Sequence, residues 1–138
     1  MTIFVTYCSK EKNRSQGKLE AIKRYLSNRI QKVYEASELL TVDFMILSGE
    51  FGLLKPTSLI PYYDHLLVME EVDKYIDKLT EQLMEINNKS KKKIKIIFFT
   101  EYLKNDANLA PYQISIKTAC ERLDIEFMMV EMEKGVNN

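Results

Sequence analysis

With 138 residues, 46% of them hydrophobic, the chain has the size of one domain and the apolar content to fill one core. Twenty Lys+Arg balance twenty Asp+Glu, which excludes the basic excess of a general nucleic-acid coat and leaves any polyanion recognition to a local patch. No apolar run reaches the roughly 18 residues of a membrane span, no basic stretch precedes the apolar N-terminus, and two distant cysteines make no disulfide framework.

The first element, Ile3–Tyr7, is a β-branched and aromatic strand that gives way to the polar run Cys8–Ser15. Leu19, Ile22, Leu26, Ile30 and Val33 then recur at helical spacing, and with Ser15 as N-cap they predict a helix over about 16–34. A second strand, Val42–Leu47, ends at Ser48-Gly49. From Gly49 to Leu67 neither period holds, and Gly52, Pro56 and Pro61 mark a loop longer than the ~12–15 residues at which unstructured loops become uncommon.

Met69, Val72, Tyr75, Ile76, Leu79, Leu83 and Ile86 predict a second helix running to about residue 88. The lysine run 89–93 reads as a solvated turn whose cations favour the preceding helix end. Ile94–Phe99, apolar at nearly every position, is the best candidate for a central strand. A helix at about 108–123 and a strand at Ile125–Val130 follow. The alternation predicts one α/β domain over 1–138: a four-stranded, mostly parallel sheet with helices on both faces, Ile94–Phe99 central and the fourth strand at an edge.

Ligands of open parallel sheets bind beyond the carboxyl ends of the strands, near the point where strand order reverses. Three loops qualify: Cys8–Ser15, Ser48–Asp64 and Thr100–Asp106. Ser9, Lys10, Lys12 and Arg14 precede the expected first helix, whose unpaired N–H groups would suit a phosphate or carboxylate. The alternative is an ordinary solvated loop, since Gly17 stands alone and no Walker or dinucleotide fingerprint is present. Cys8 is a candidate nucleophile, its thiol pKa lowered by nearby cations, or a small residue closing the strand. Cys120 falls on a helix core face, and the one histidine, His65, with two distant cysteines makes no zinc spacing, so neither metal nor other cofactor is expected. In the middle loop, Gly49 and Gly52 allow close backbone approach to a ligand, Glu50 and Asp64 are acid–base candidates, and Tyr62 or Tyr63 could stack on a planar ring.

Cys8-Ser9-Lys10-x-Lys12, Ile46-Leu47-Ser48-Gly49-x-x-Gly52-Leu53-Leu54-x-Pro56 and Ile60-Pro61-Tyr62-Tyr63-Asp64 together resemble an uncharacterised bacterial and phage domain family. That family is related to the peroxide-stress protein YaaA and to the uracil-DNA-glycosylase-like domain of archaeosine synthase. The resemblance covers roughly residues 1–70 with motifs, and Tyr62 and Tyr63 leave two registers for its proline-tyrosine-aspartate pattern. It implies a compact α/β fold with motif residues at one edge, and relatives linked to DNA binding under oxidative stress or to modified nucleobases.

The resulting expectation is a small cytosolic protein that binds a nucleotide, nucleobase or nucleic-acid end, with hydrolysis or transfer at a glycosidic or phosphoester bond as its chemistry. Ser9, Lys10 and Lys12 would hold an anion, Ser48 and the 49–52 backbone would approach the ligand beside Cys8, Tyr62 or Tyr63 would stack, and Asp64 would accept a proton. The alternative is a non-catalytic binding or stress-response module. Oligomeric state is left open.

Overall fold

A computed structural model describes residues 1–133 of the chain. Strand β1 (Thr2–Tyr7) leads through a two-residue strand, β2 (Leu19–Glu20), and a single turn, α1 (Ala21–Arg24), into helix α2 (Asn28–Leu40). Strands β3 (Asp43–Ser48), β4 (Gly52–Leu54) and β5 (Leu59–Ile60) come next, then helix α3 (Val72–Lys89), β6 (Lys95–Glu101), α4 (Ala110–Arg122) and β7 (Glu126–Met132).

The main sheet has five strands in the order β4-β3-β1-β6-β7. Strands β1, β3, β6 and β7 are parallel, while β4 runs antiparallel along β3. Val5 of β1 lies between Met45 of β3 and Phe98 of β6. Alternate β1 residues face opposite layers: Phe4 packs on the α2 side with Phe44 and Ile46, and Ile3 and Val5 pack on the α3/α4 side with Leu79, Leu83, Ile96 and Phe98. The chain therefore forms three layers, with α2 on one face and α3 and α4 on the other.

The sheet is mixed α/β and mostly parallel, as expected, but it has five strands and not four. The extra strand, Gly52–Leu54, falls within the stretch read as loop. Three residues are too few to show a period, and Gly52, at φ +73°, lets the chain reverse and pair back on β3. Ile94–Phe99 does lie inside the sheet, between β1 and β7, although the middle position belongs to β1; β7 is an edge strand as expected.

The first crossover differs most from its expected form. No helix spans 16–34: Gly17 adopts φ +79°, β2 pairs with β5, and α2 starts only after Ser27, whose side chain accepts from the Ile30 N–H at 3.2 Å. Ser15 is not an N-cap; its hydroxyl donates to Asn13 Oδ1 at 2.7 Å. The apolar spacing misleads because Leu26 is 54% exposed, while the core positions go to Ala21, Tyr25, Ile30 and two buried arginines, Arg24 and Arg29.

Arg24 shows what the irregular segment uses in place of a helix. Its Nη1 donates to the carbonyls of Asn13 and Ser15 at 2.7 and 3.0 Å, and its Nη2 to those of Gly17 and Ile60 at 2.7 and 3.0 Å. A buried guanidinium thus satisfies loop carbonyls that no regular ladder would satisfy, and it fixes the course of residues 13–17.

Candidate switch-point cleft

The connection from β1 runs to β3 on one side, whereas the connection from β3 passes over β1 to β6 on the other. Strand order therefore reverses between β1 and β6, and the loops that follow these two strands diverge. At that point opens a cleft of about 930 Å³.

One wall is built by α2 against the end of β1. Arg29, 1% exposed, donates through Nη1 to Thr6 Oγ1 at 2.5 Å and to the Tyr7 carbonyl at 2.8 Å, and through Nη2 to the Cys8 carbonyl at 3.3 Å. Thr6 in turn donates its hydroxyl to the Phe99 carbonyl of β6 at 2.9 Å. The guanidinium carbon lies 3.5 Å from the Tyr7 ring centroid, a stacked geometry that only a planar cation makes well. Burial lowers the Arg29 pKa and pushes the Tyr7 phenol up to about 12, with each group opposing the shift of the other. Arg29 lines the cleft together with Ser27 and Asn28, at the α2 N-terminus, and its Nε has no hydrogen-bond partner among the described residues.

The opposite wall is the end of β6 and its loop, with Glu101, 3% exposed, Asn105 and Asp106. Asp106 Oδ1 accepts the Asn108 N–H at 3.0 Å and so caps the short 3-10 turn that leads into α4. Around the whole cleft three cations, Lys10, Lys23 and Arg29, face three anions, Glu11, Glu101 and Asp106.

Residues 3–129 match the model of DUF6884, a family of unknown function. The chain belongs to the DUF6884 family. The matched span runs from β1 into β7, so both walls of the cleft fall inside it. No curated protein matches the chain.

Of the residues singled out in sequence, this DUF6884 member brings Cys8, Ser9 and Lys10 into the cleft. Cys8 is partly buried, and its thiol points toward the Tyr112 hydroxyl at 3.9 Å. Ser9 donates to the Glu11 carbonyl at 2.7 Å and shapes the loop. Lys12 stands beside the cleft, its ammonium 4.7 Å from the Tyr63 ring centroid.

Ser48 belongs to a neighbouring, buried network. Its hydroxyl accepts the N–H groups of Glu50 and Phe51, both at 3.1 Å, and pairs with the Tyr63 hydroxyl at 2.8 Å. Tyr63 is also hydrogen-bonded to Tyr25, a cleft residue, and Tyr75 donates to the Ser48 carbonyl at 2.6 Å. Burial drives the phenols of Tyr25 and Tyr63 well above their ordinary range.

The two loop glycines make close approaches, to protein side chains. A Cβ on Gly49 would lie 2.8 Å from the Tyr112 hydroxyl, and one on Gly52 would lie 2.3 Å from Gln82 Oε1. Glu50 accepts from His65 Nδ1 at 2.5 Å, while Glu71 faces His65 Nε2 at 2.9 Å. Both ring nitrogens of His65 are thus engaged by carboxylates, and no Cys8–His65 pair forms. Tyr62 is exposed and carries Arg14 5.4 Å from its ring centroid. Asp64 is exposed, makes no hydrogen bond or ion pair among the described residues, and does not line the cleft.

Sequence reasoning named the 100–106 loop but none of its side chains, and it passed over Arg29. Two signals were available. Glu101 is a charge two residues beyond the apolar run Ile94–Phe99, where a strand's carboxyl end meets the site, and Arg29 stands two residues inside a serine-capped helix start.

Proposed function

We propose that the chain binds a nucleotide, nucleobase or nucleic-acid end in the cleft between the carboxyl ends of β1 and β6. The observation that carries this reading is a cleft at the switch point whose lining combines the α2 N-terminus, Arg29 and Lys10 with the carboxylates Glu11, Glu101 and Asp106. Helix N–H groups and cations receive a phosphate or another acceptor-rich edge. Ionised carboxylates accept only, and so receive hydroxyl or amino donors. About 930 Å³ lies within the common range of small-ligand sites, roughly 300–1,000 Å³.

The resemblance of the 46–56 and 60–64 motifs to a family related to YaaA and to the archaeosine synthase domain supports a nucleobase-bearing ligand. The proposed compartment is the cytosol, where the free thiols of Cys8 and Cys120 stay reduced. For turnover at a glycosidic or phosphoester bond, the carboxylates that line the cleft are Glu11, Glu101 and Asp106.

A non-catalytic binding module is the second reading, and it is favoured by the engagement of both His65 nitrogens away from Cys8. One experiment tests both readings. A thermal-shift panel of nucleotides, nucleobases and short single strands should raise Tm for at least one class, because a ligand at 100 times its Kd adds about 2.7 kcal/mol. No shift with any class removes the binding proposal. Binding without product after prolonged incubation selects the module.

A further inference from the structure

We infer that the outer edge of β7 is a self-association surface, on which a second copy of this chain adds its own β7 antiparallel, about a two-fold axis through Met129, to make one continuous sheet. The inference is independent of the cleft.

The two edges of the sheet are finished differently. At the β4 edge the Gln82 side chain takes up free backbone groups: its Oε1 accepts the Leu53 N–H at 2.8 Å and its Nε2 donates to the Phe51 carbonyl at 3.1 Å. At the other edge β7 pairs with β6 alone, residue for residue from Glu126 to Met132. No side chain among the described residues bonds to its outward N–H and C=O groups. Edge strands of this length are normally guarded by proline, lysine or a bulge, and β7 has none of these.

The backbone restricts how a second β7 can add. In the parallel ladder, alternate residues of β7 turn their N–H and C=O groups towards β6, and the others turn them outward. Antiparallel pairing opposes outward residues to outward ones, so the two-fold axis passes through a residue and not between two. A centre at Met129 pairs the whole seven-residue strand, 126 with 132, 127 with 131 and 128 with 130, and any other centre shortens the ladder.

Charge agrees with that register. Glu126 faces Met132 and Glu131 faces Phe127, so no carboxylate opposes another. The excluded centre between Met128 and Met129 would set Glu126 against Glu131 twice. Lys95 of β6 also holds the Glu126 carboxylate at 3.1 Å, towards the interior of the sheet.

The apolar side chains fit the same arrangement. Phe127 and Met129 are half-buried on the α3/α4 side. Met128, 47% exposed, and half-buried Val130 lie on the opposite face, beyond α2, which packs over β1 and β3. In the Met129 register Met128 lies beside Val130 of the second copy, so two identical apolar pairs form across the axis. An unrelated strand would meet the same open backbone, but the match of length, backbone phase and charge about Met129 belongs to a second copy.

The test is sedimentation velocity of the full chain over a concentration series, with Met128→Lys, Val130→Glu and an equal mixture of the two variants. The parent should dimerise as concentration rises. Each variant alone should weaken the dimer about tenfold or more, because a charge is then set against an apolar side chain on both sides of the axis. The mixture should recover the loss, since a mixed pair opposes the introduced ammonium to the introduced carboxylate and keeps one native Met128–Val130 pair. Hydrogen exchange of the parent decides the matter without any variant: amides of residues 126–132 should exchange more slowly as concentration rises, while those of α2 stay constant. A parent that remains monomeric to millimolar concentration, a dimer indifferent to Met128→Lys, a mixture of folded variants that recovers nothing, or β7 exchange that does not change with concentration overturns the inference.

Discussion

Arg29 and Tyr7 meet twice: the guanidinium lies 3.5 Å from the Tyr7 ring centroid, and Nη1 donates to the Tyr7 carbonyl at 2.8 Å. Helix α2 is thereby fixed to the end of β1 at the floor of the cleft. Arg29→Lys keeps the charge but loses the fork and the stack, and it leaves buried acceptors unmet. The expected cost is about 2–4 kcal/mol, read as a lower urea midpoint at unchanged slope. A variant as stable as the parent would remove Arg29 from the framework of the site.

Arg24 has a separable role. Arg24→Ala leaves the carbonyls of Asn13, Ser15, Gly17 and Ile60 without their common donor, and the expected loss is about 3–5 kcal/mol. Residues 13–17 should also become sensitive to trypsin, which cuts at Lys12, Arg14 and Lys18. Cleavage no faster than in the parent would show that the loop holds its course by other means.

His65 gives the pH dependence. Hydrogen bonds with Glu71 and then Glu50 raise its pKa above the ordinary 6.5, and the same contact lowers that of Glu71 below its ordinary 4.5. The histidine contribution is complete below pH 6.5 and is lost as pH rises through the raised folded value; the Glu71 contribution is complete above 4.5 and is lost as pH falls through the lowered one. The clamp therefore stabilises most between these two values. The Tm advantage of the parent over His65→Gln should shrink as pH rises from 6 to 9. A constant difference would mean that the imidazole acts by packing alone.

Gly52 combines a positive φ with a blocked Cβ direction. Gly52→Ala forces an L residue into the left-handed region, at about 1–2 kcal/mol, and displaces the Gln82 side chain that binds Leu53 N–H at 2.8 Å and the Phe51 carbonyl at 3.1 Å. Adding Gln82→Ala relieves the clash but not the backbone strain, so the double variant should stay less stable than Gln82→Ala alone. Equal stability of the two would place the whole cost in the side-chain clash.

Two aspartates separate the sequence-derived site from the structural one. With whichever ligand the thermal-shift panel identifies, Asp106→Asn should change affinity by about tenfold, and Asp64→Asn, at an exposed carboxylate without partners among the described residues, should change it little. The reverse result would return the site to the 61–64 segment.

The apolar runs Ile3–Tyr7, Val42–Leu47 and Ile94–Phe99 were legible because inner strands covered on both faces read as continuous hydrophobic stretches, and Ile125–Val130, which leads into a half-exposed edge strand, was legible from its apolar composition. Their helical separation was enough to predict parallel strands and a site at the carboxyl edge. What escaped was of two kinds. Strands β2, β4 and β5 have two or three residues each, below any period. Arg24 and Arg29 escaped because a charged residue in a helical pattern is normally assigned to the wet face, whereas these two are buried by hydrogen bonds to backbone oxygens, which no spacing rule records.

The phenol cluster beside the cleft also makes the molecule self-reporting. The chain has eight tyrosines and no tryptophan, so its near-ultraviolet absorbance and emission are tyrosine signals. Tyr25, Tyr63, Tyr75 and Tyr112 all have ionisation pushed upward by burial. These four buried phenols ionise only as the structure around them opens, which delays their share of the phenolate signal. A stopped-flow jump to alkaline pH should therefore split phenolate absorbance into a fast and a slow phase. The slow phase times the breathing of the wall that Tyr25 shares with the cleft.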